Sequence, residues 1–117
     1  MTQKLIDNIV EAIQDKKGHN IVSLDLRALE GTICDAFVVC NADSTTQVDA
    51  IADGIVEHLE EKLGEKPRRV EGKTNAVWVA VDYVDVMVHI FLTPLREYYR
   101  LEQLWADAPA THYESEE

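Results

Sequence analysis

At 117 residues the chain is long enough for one hydrophobic core and too short for two, and a composition 46% hydrophobic and 28% charged is that of an ordinary folded domain. A formal charge of −11, from 22 acidic against 11 basic residues, disfavours non-specific nucleic-acid binding, which rests on Lys and Arg, and fits a cationic partner as well as plain solubility. No apolar run approaches about 20 residues and no basic, apolar-cored leader precedes the first helix, so neither a membrane span nor a signal or transit peptide is expected, and the cytoplasm is the expected location.

Residues 3–17 place Leu5, Ile6, Ile9, Val10 and Ile13 on one face, which predicts an amphipathic helix with Thr2 as its cap and Gly18 as its stop. A strand over Ile21–Leu26 follows, then a connector from Arg27 to Thr32. Asp35–Cys40 is apolar nearly throughout, the pattern of a central strand buried on both faces. Ser44-Thr45-Thr46-Gln47 is a capping box, and the helix it opens carries Val48, Ile51, Ala52, Ile55, Leu59 and Leu63 on one stripe up to Gly64. A polar link from Pro67 to Gly72 enters a short strand at Val70.

Two β-branched runs, Ala76–Val81 and Val86–Phe91, predict a hairpin. A two-residue turn at Tyr83-Val84 would set Val81 against Val86, Ala80 against Met87, Val79 against Val88 and Trp78 against His89. Val84 stands where such a turn favours Gly, Asn or Asp, which leaves a longer loop open. One face is then Val77, Val79, Val81, Val86, Val88 and Ile90, the core side. The other is Trp78, Ala80, Asp82, Asp85, Met87, His89 and Phe91, a mixture suited to binding a protein or to cover by a helix of the same chain. Thr93-Pro94 starts the last helix, with Thr93 as N-cap and a stripe of Leu95, Tyr98, Leu101 and Trp105, the last read as core. The folded domain is expected to span residues 1–107, and residues 108–117 to be a disordered acidic tail. The element order is that of an α/β (α+β) domain, a mixed β-sheet with packed helices.

Catalytic signatures are sparse. The five glycines are scattered and form no phosphate loop. Cys34 and Cys40 flank one strand and read as buried thiols; His19, His58 and His112 read as turn, solvated-helix and tail residues. Asp35, Asp82 and Asp85, all at strand ends, could hold Mg²⁺ against a phosphate, although turn chemistry equally places Asp there.

The segments Cys34–Cys40, Asp43–Val48, Arg69–Gly72, Trp78–Phe91, Arg96–Glu102 and Leu104–Asp107 together resemble the ribosomal silencing factor family, also called the Iojap family. The chain departs from that pattern at Ala36, usually aromatic, at Thr46, usually basic, and at Val84, usually Gly. The resemblance implies a fold similar to that of nucleotidyltransferases without their catalytic signature, no cofactor and no metal. It implies binding to the large ribosomal subunit through its protein fourteen, steric block of subunit joining, and repression of translation under nutrient limitation. It further implies a homodimer when free, and contact through the hairpin's Trp. With the face assignment, the expected contact set is Trp78, Asp82, Tyr83, Asp85, Met87, His89 and Phe91. A homodimeric interaction module and a metal-dependent nucleotidyl- or phosphotransferase are the alternatives.

Overall fold

Seven consecutive residues, Ala36–Ala42, are all buried, and the rest of the chain is arranged to cover their two faces. A computed structural model describes residues 2–29, 31, 34–100, 103 and 105–114. Its elements are α1 (Thr2–Asp15), β1 (His19–Asp25), β2 (Ala36–Ala42), α2 (Thr45–Leu63), β3 (Arg69–Glu71), β4 (Trp78–Asp82), β5 (Val86–Leu92), α3 (Thr93–Tyr99) and β6 (Ala110–Tyr113). The strands form one sheet in the order β3-β4-β5-β2-β1-β6. β2 and β5 run parallel and the other neighbours antiparallel, so the mixed sheet expected from the sequence is the one observed. None of the described helices is long and apolar enough to cross a membrane.

Strand alternation divides the core. Ala36, Val38, Cys40 and Ala42 of β2 face α1 and α2, meeting Ile9, Ile13, Val48, Ile51, Ile55 and Leu59. Phe37 and Val39 face the other way, into a smaller cluster with Val22, Leu24, Leu26, Phe91 and Ala108. Ile9, Ile13, Ile51, Ile55 and Leu59 are fully buried, each contributing on the order of 2–3 kcal/mol of apolar transfer free energy. Burial pushes the Cys40 thiol up to about 12, and both cysteines are free and buried, as read from the sequence.

The helix ends differ in detail from the sequence pattern. Thr2 lies inside α1 and donates its hydroxyl to Asp35 Oδ2 (3.1 Å). Lys17, not Gly18, takes the left-handed turn after α1 (φ +64); Gly18 is needed because a Cβ there would collide with Ile13 Cγ2. At α2, Ser44 Oγ accepts from Gln47 N–H (3.1 Å), but Gln47 Oε1 reaches back to Asp43 N–H (3.4 Å) while its Nε2 donates to the Lys17 carbonyl (3.0 Å). The capping residue therefore also ties α2 to the end of α1. His58 is not a solvated helix residue: it is partly buried, 3.7 Å from Glu11 of α1.

Two larger corrections concern the C-terminal third. α3 has Leu92 at its N-cap, and the Thr93 hydroxyl instead donates to the Ala42 carbonyl (3.0 Å) or Asp43 Oδ1 (2.8 Å) and accepts from Asn41 Nδ2 (2.9 Å). Arg96 Nη1 donates to the Asn20 carbonyl and to Asn41 Oδ1 (2.9 Å), so polar bonds fix α3 against the ends of β1 and β2. Arg100, at φ +48, closes the helix; Tyr98 points to solvent, Trp105 lies beyond it in a turn, and Leu101 lies outside the described residues.

The second correction is the supposed tail. Ala110–Tyr113 pairs antiparallel with β1, Tyr113 opposite Ile21 and Ala110 opposite Leu24, because β1 otherwise leaves an open edge. Tyr113 packs against the helix-side core and its hydroxyl lies 3.1 Å from Ser23 Oγ. His112 accordingly stands on a strand, and residues 115–117 lie outside the described residues. Tyr113→Ala is expected to lower stability by roughly 2 kcal/mol in urea titration, whereas a change in a disordered tail would leave the midpoint where it is.

Candidate partner-binding face

The register of β4 on β5 decides where each hairpin side chain goes. Trp78 lies opposite Phe91, Val79 opposite Ile90, Ala80 opposite His89, Val81 opposite Val88 and Asp82 opposite Met87. Every opposed pair is thus two positions away from the expected register, and the turn is centred one residue later. A shift of two preserves the faces. Val79, Val81, Val86, Val88 and Ile90 all lie in the helix-side core, as expected.

The turn explains the shift. Tyr83 N–H donates to the Val86 carbonyl (2.9 Å), and Asp85 N–H donates to the Tyr83 carbonyl (2.9 Å), closing a γ-turn about Val84 at φ +74. A β-branched residue is strained there, and the Val84 side chain, 52% exposed, has little packing to offset it. Asp82 supports the turn: its Oδ1 accepts from Val84 N–H (2.7 Å), and its Oδ2 accepts from Arg68 Nη2 (2.6 Å) and Nε (3.2 Å). Burial pushes the Asp82 carboxyl up, but the Val84 N–H and the Arg68 guanidinium outweigh it and hold the group below the usual carboxylate range. Val84→Gly is expected to raise stability by about 1 kcal/mol, read as a higher urea midpoint with unchanged slope.

The opposite face is where exposure departs from the sequence reading. Phe91 is fully buried and His89 is 5% exposed, because Leu95, Trp105 and Ala108 come over this face and join Phe37, Val39 and Phe91 in one cluster. Trp105 meets Phe37 edge-on (5.9 Å, 84°) and is partly buried against this cluster. Asp82 is buried at 6% beneath Arg68. Tyr83, also 6% exposed, joins the helix-side core, and burial with Glu60 and Glu65 nearby pushes its phenol up to about 12. Four of the seven expected contact residues are therefore beneath the surface; Trp78 and Met87 are half-buried and Asp85 is exposed.

What reaches the surface is an aromatic group set on the end of the sheet. The Trp78 indole stacks on Phe91 (centroids 5.0 Å, 27°), leans on Tyr99 (4.8 Å), and donates from Nε1 to His89 Nδ1 (3.1 Å). Tyr99 is 43% exposed and Tyr98, edge-on to it at 5.2 Å, is 76% exposed. Behind Trp78, Gly72 at φ +92 passes so close to the Trp78 carbonyl that a Cβ would collide with it. Tyr99 is the residue that sequence reasoning missed. The stripe was phased on Tyr98, whereas the inward positions of this two-turn helix are Leu95 and Tyr99, an i, i+4 pair that the sequence does contain.

Asp35 and Asp85 meet through the backbone, Asp35 N–H donating to the Asp85 carbonyl (2.8 Å), while the Asp82 carboxylate is directed to Arg68. Among the described residues no three His, Cys, Asp or Glu side chains are placed to hold a metal ion.

Burial holds His89 down at about 4, below its ordinary 6.5. The unfolded chain takes up the proton near 6.5 and the native chain only near 4, so stability contributed by the neutral imidazole is lost as pH falls between those values. The loss should reach roughly 3 kcal/mol, and a His89→Leu variant should lack that part of the slope in urea titrations run from pH 7 to pH 4.

Comparison with known proteins adds to this geometry. The model of a family described as "Ribosomal silencing factor during starvation" matches residues 1–117. A ribosomal silencing factor of Bacillus subtilis is 41% identical over 110 residues, covering 93% of this chain and 92% of its own. That of Halalkalibacterium halodurans is 39% identical over 112 residues, covering 96% and 94%. A crystal structure of a Chromobacterium violaceum protein superposes with a TM-score of 0.84 at 36% identity, covering 89% of this chain and 85% of that one.

Proposed function

The chain belongs to the ribosomal silencing factor family, and from that premise we propose that it binds the large ribosomal subunit through its protein fourteen, at the surface where the small subunit docks. Occupying that surface blocks subunit joining and represses translation when nutrients are short. The action is steric: no bond is made or broken and no cofactor takes part.

The observation that carries the reading is the partly exposed Trp78 side chain, held by Phe91, Tyr99 and His89. Large aromatics held rigid at a surface lose little entropy on binding and are the commonest interface hot spots. Met87, Tyr99 and Tyr98 extend the apolar patch, and Asp85 supplies an exposed carboxylate for a Lys or Arg of the partner. A net charge of −11 favours approach to a basic ribosomal protein. Phe91 and His89 support this surface from beneath, while Asp82 holds the adjoining turn and Tyr83 belongs to the helix-side core.

The test is co-sedimentation with separated ribosomal subunits followed by a subunit-joining assay. Wild type should pellet with the large subunit alone and inhibit joining. Trp78→Ala, checked for folding by circular dichroism, should weaken binding by about 2 kcal/mol, roughly 30-fold. Asp85→Lys, at an exposed position, gives a second variant that should leave the packed core intact and weaken binding more at low salt than at high. Unchanged affinity in both would remove the site. Loss of a dimer with retained ribosome binding in Trp78→Ala would reassign the patch to a homodimer interface.

A further inference from the structure

Tryptophan has a donor and no acceptor, so the 3.1 Å bond from Trp78 Nε1–H requires His89 Nδ1 to be the unprotonated nitrogen. The proton of the neutral imidazole then lies on Nε2, and Nε2 is buried without a hydrogen-bond partner among the described residues. The ring closest to the imidazole is Phe37, edge-on at 4.7 Å, which accepts no conventional hydrogen bond. Val39 and Ala80 flank His89 on the neighbouring strands. An aliphatic residue would suit such surroundings without an orphaned N–H, a defect that costs stability. The one thing the imidazole supplies that Leu would not is a lone pair aimed at the indole.

We propose that His89 is a positioning residue for partner binding: through Nδ1 it fixes the Trp78 indole at the surface and does not touch the partner itself. Stacking on Phe91, with Tyr99 tilted against the ring, sets the plane of the indole but leaves its direction within that plane free, and the directional bond to Nδ1 selects one. A side chain so fixed has no rotamer freedom left to lose on binding. The fold therefore keeps a polar group in an apolar layer, at a cost in stability, for the sake of one surface orientation. This inference rests on the reading of Trp78 as the anchor.

The experiment crosses stability against affinity. His89→Leu removes both the acceptor and the orphaned N–H. His89→Asn keeps an acceptor, Oδ1, where Nδ1 stood, but leaves space and an unpaired amide. In ¹H–¹⁵N spectra, with Trp105→Phe to assign the two indoles, the Trp78 Nε1–H signal should move and exchange faster in His89→Leu and return towards wild type in His89→Asn. At pH 7 the urea midpoint of His89→Leu should be no lower than wild type, while its binding to purified large subunits weakens about tenfold. His89→Asn should be the less stable protein and the better binder. Binding that follows the urea midpoint, a markedly destabilised His89→Leu, or wild-type affinity in that variant would each overturn the proposal. Trp78→Ala in the same assay separates the two levels: if it weakens binding and His89→Leu does not, the anchor stands and the positioning role falls. If it binds as wild type, the anchor falls and takes the positioning role with it.

Discussion

A strand buried on both faces has to be covered twice, and the two covers here are unequal. α1 and α2 lay a continuous aliphatic layer over one side of β2 and its neighbours, with Ile9, Ile13, Ile51, Ile55 and Leu59 fully excluded from water. The other side is covered, among the described residues, by the seven-residue helix α3 and the turn up to Ala108, which supply Leu95, Trp105 and Ala108. Cover on that side gives out towards β4, and Trp78 with Tyr99 stands at its margin.

The thinner cover is held largely by polar bonds. Arg96, Asn41, Asn20 and Thr93 form a connected network at the ends of β1 and β2, and Asn41 is almost completely buried within it. Such a network is directional: it sets the position of α3, and through α3 the position of Tyr99 against the Trp78 indole. Apolar packing alone, on so short a helix, would define its rotation poorly. Orientation on this face is fixed twice by hydrogen bonds, from Arg96 at the helix and from His89 at the sheet.

Much of this was legible in the residues. The two faces of the hairpin follow from period-two alternation, which survives the two-residue register shift imposed by the γ-turn at Val84. β2 was recognisable because both of its faces are apolar, and α2 because Ser44 and Gln47 mark its start. What alternation does not contain is the identity of the cover: it assigns Phe91 and His89 to the face opposite the valines, yet their burial depends on Leu95 and Trp105 coming back over them. β6 left no pattern because Ala-Thr-His-Tyr acquires its extended form from the open edge of β1. The phase of α3 escapes the sequence pattern for a similar reason, since a stripe running to Trp105 requires a longer helix than the left-handed Arg100 allows.

The parallel pairing of β2 with β5 also has a consequence in time. Residue 36 finds its partner at residue 86, with a helix and two strands made between them. At synthesis rates of about 5–20 residues per second, the most completely buried strand of the sheet waits for seconds with one edge unpaired. β1 can close its other edge early, through the antiparallel pairs from Ser23–Val38 to Asp25–Ala36, and so form a stopgap hairpin. The sheet's central joint is completed only once β5 has been made, long after β1 and β2 are available to pair, so the two halves of the sheet are joined late.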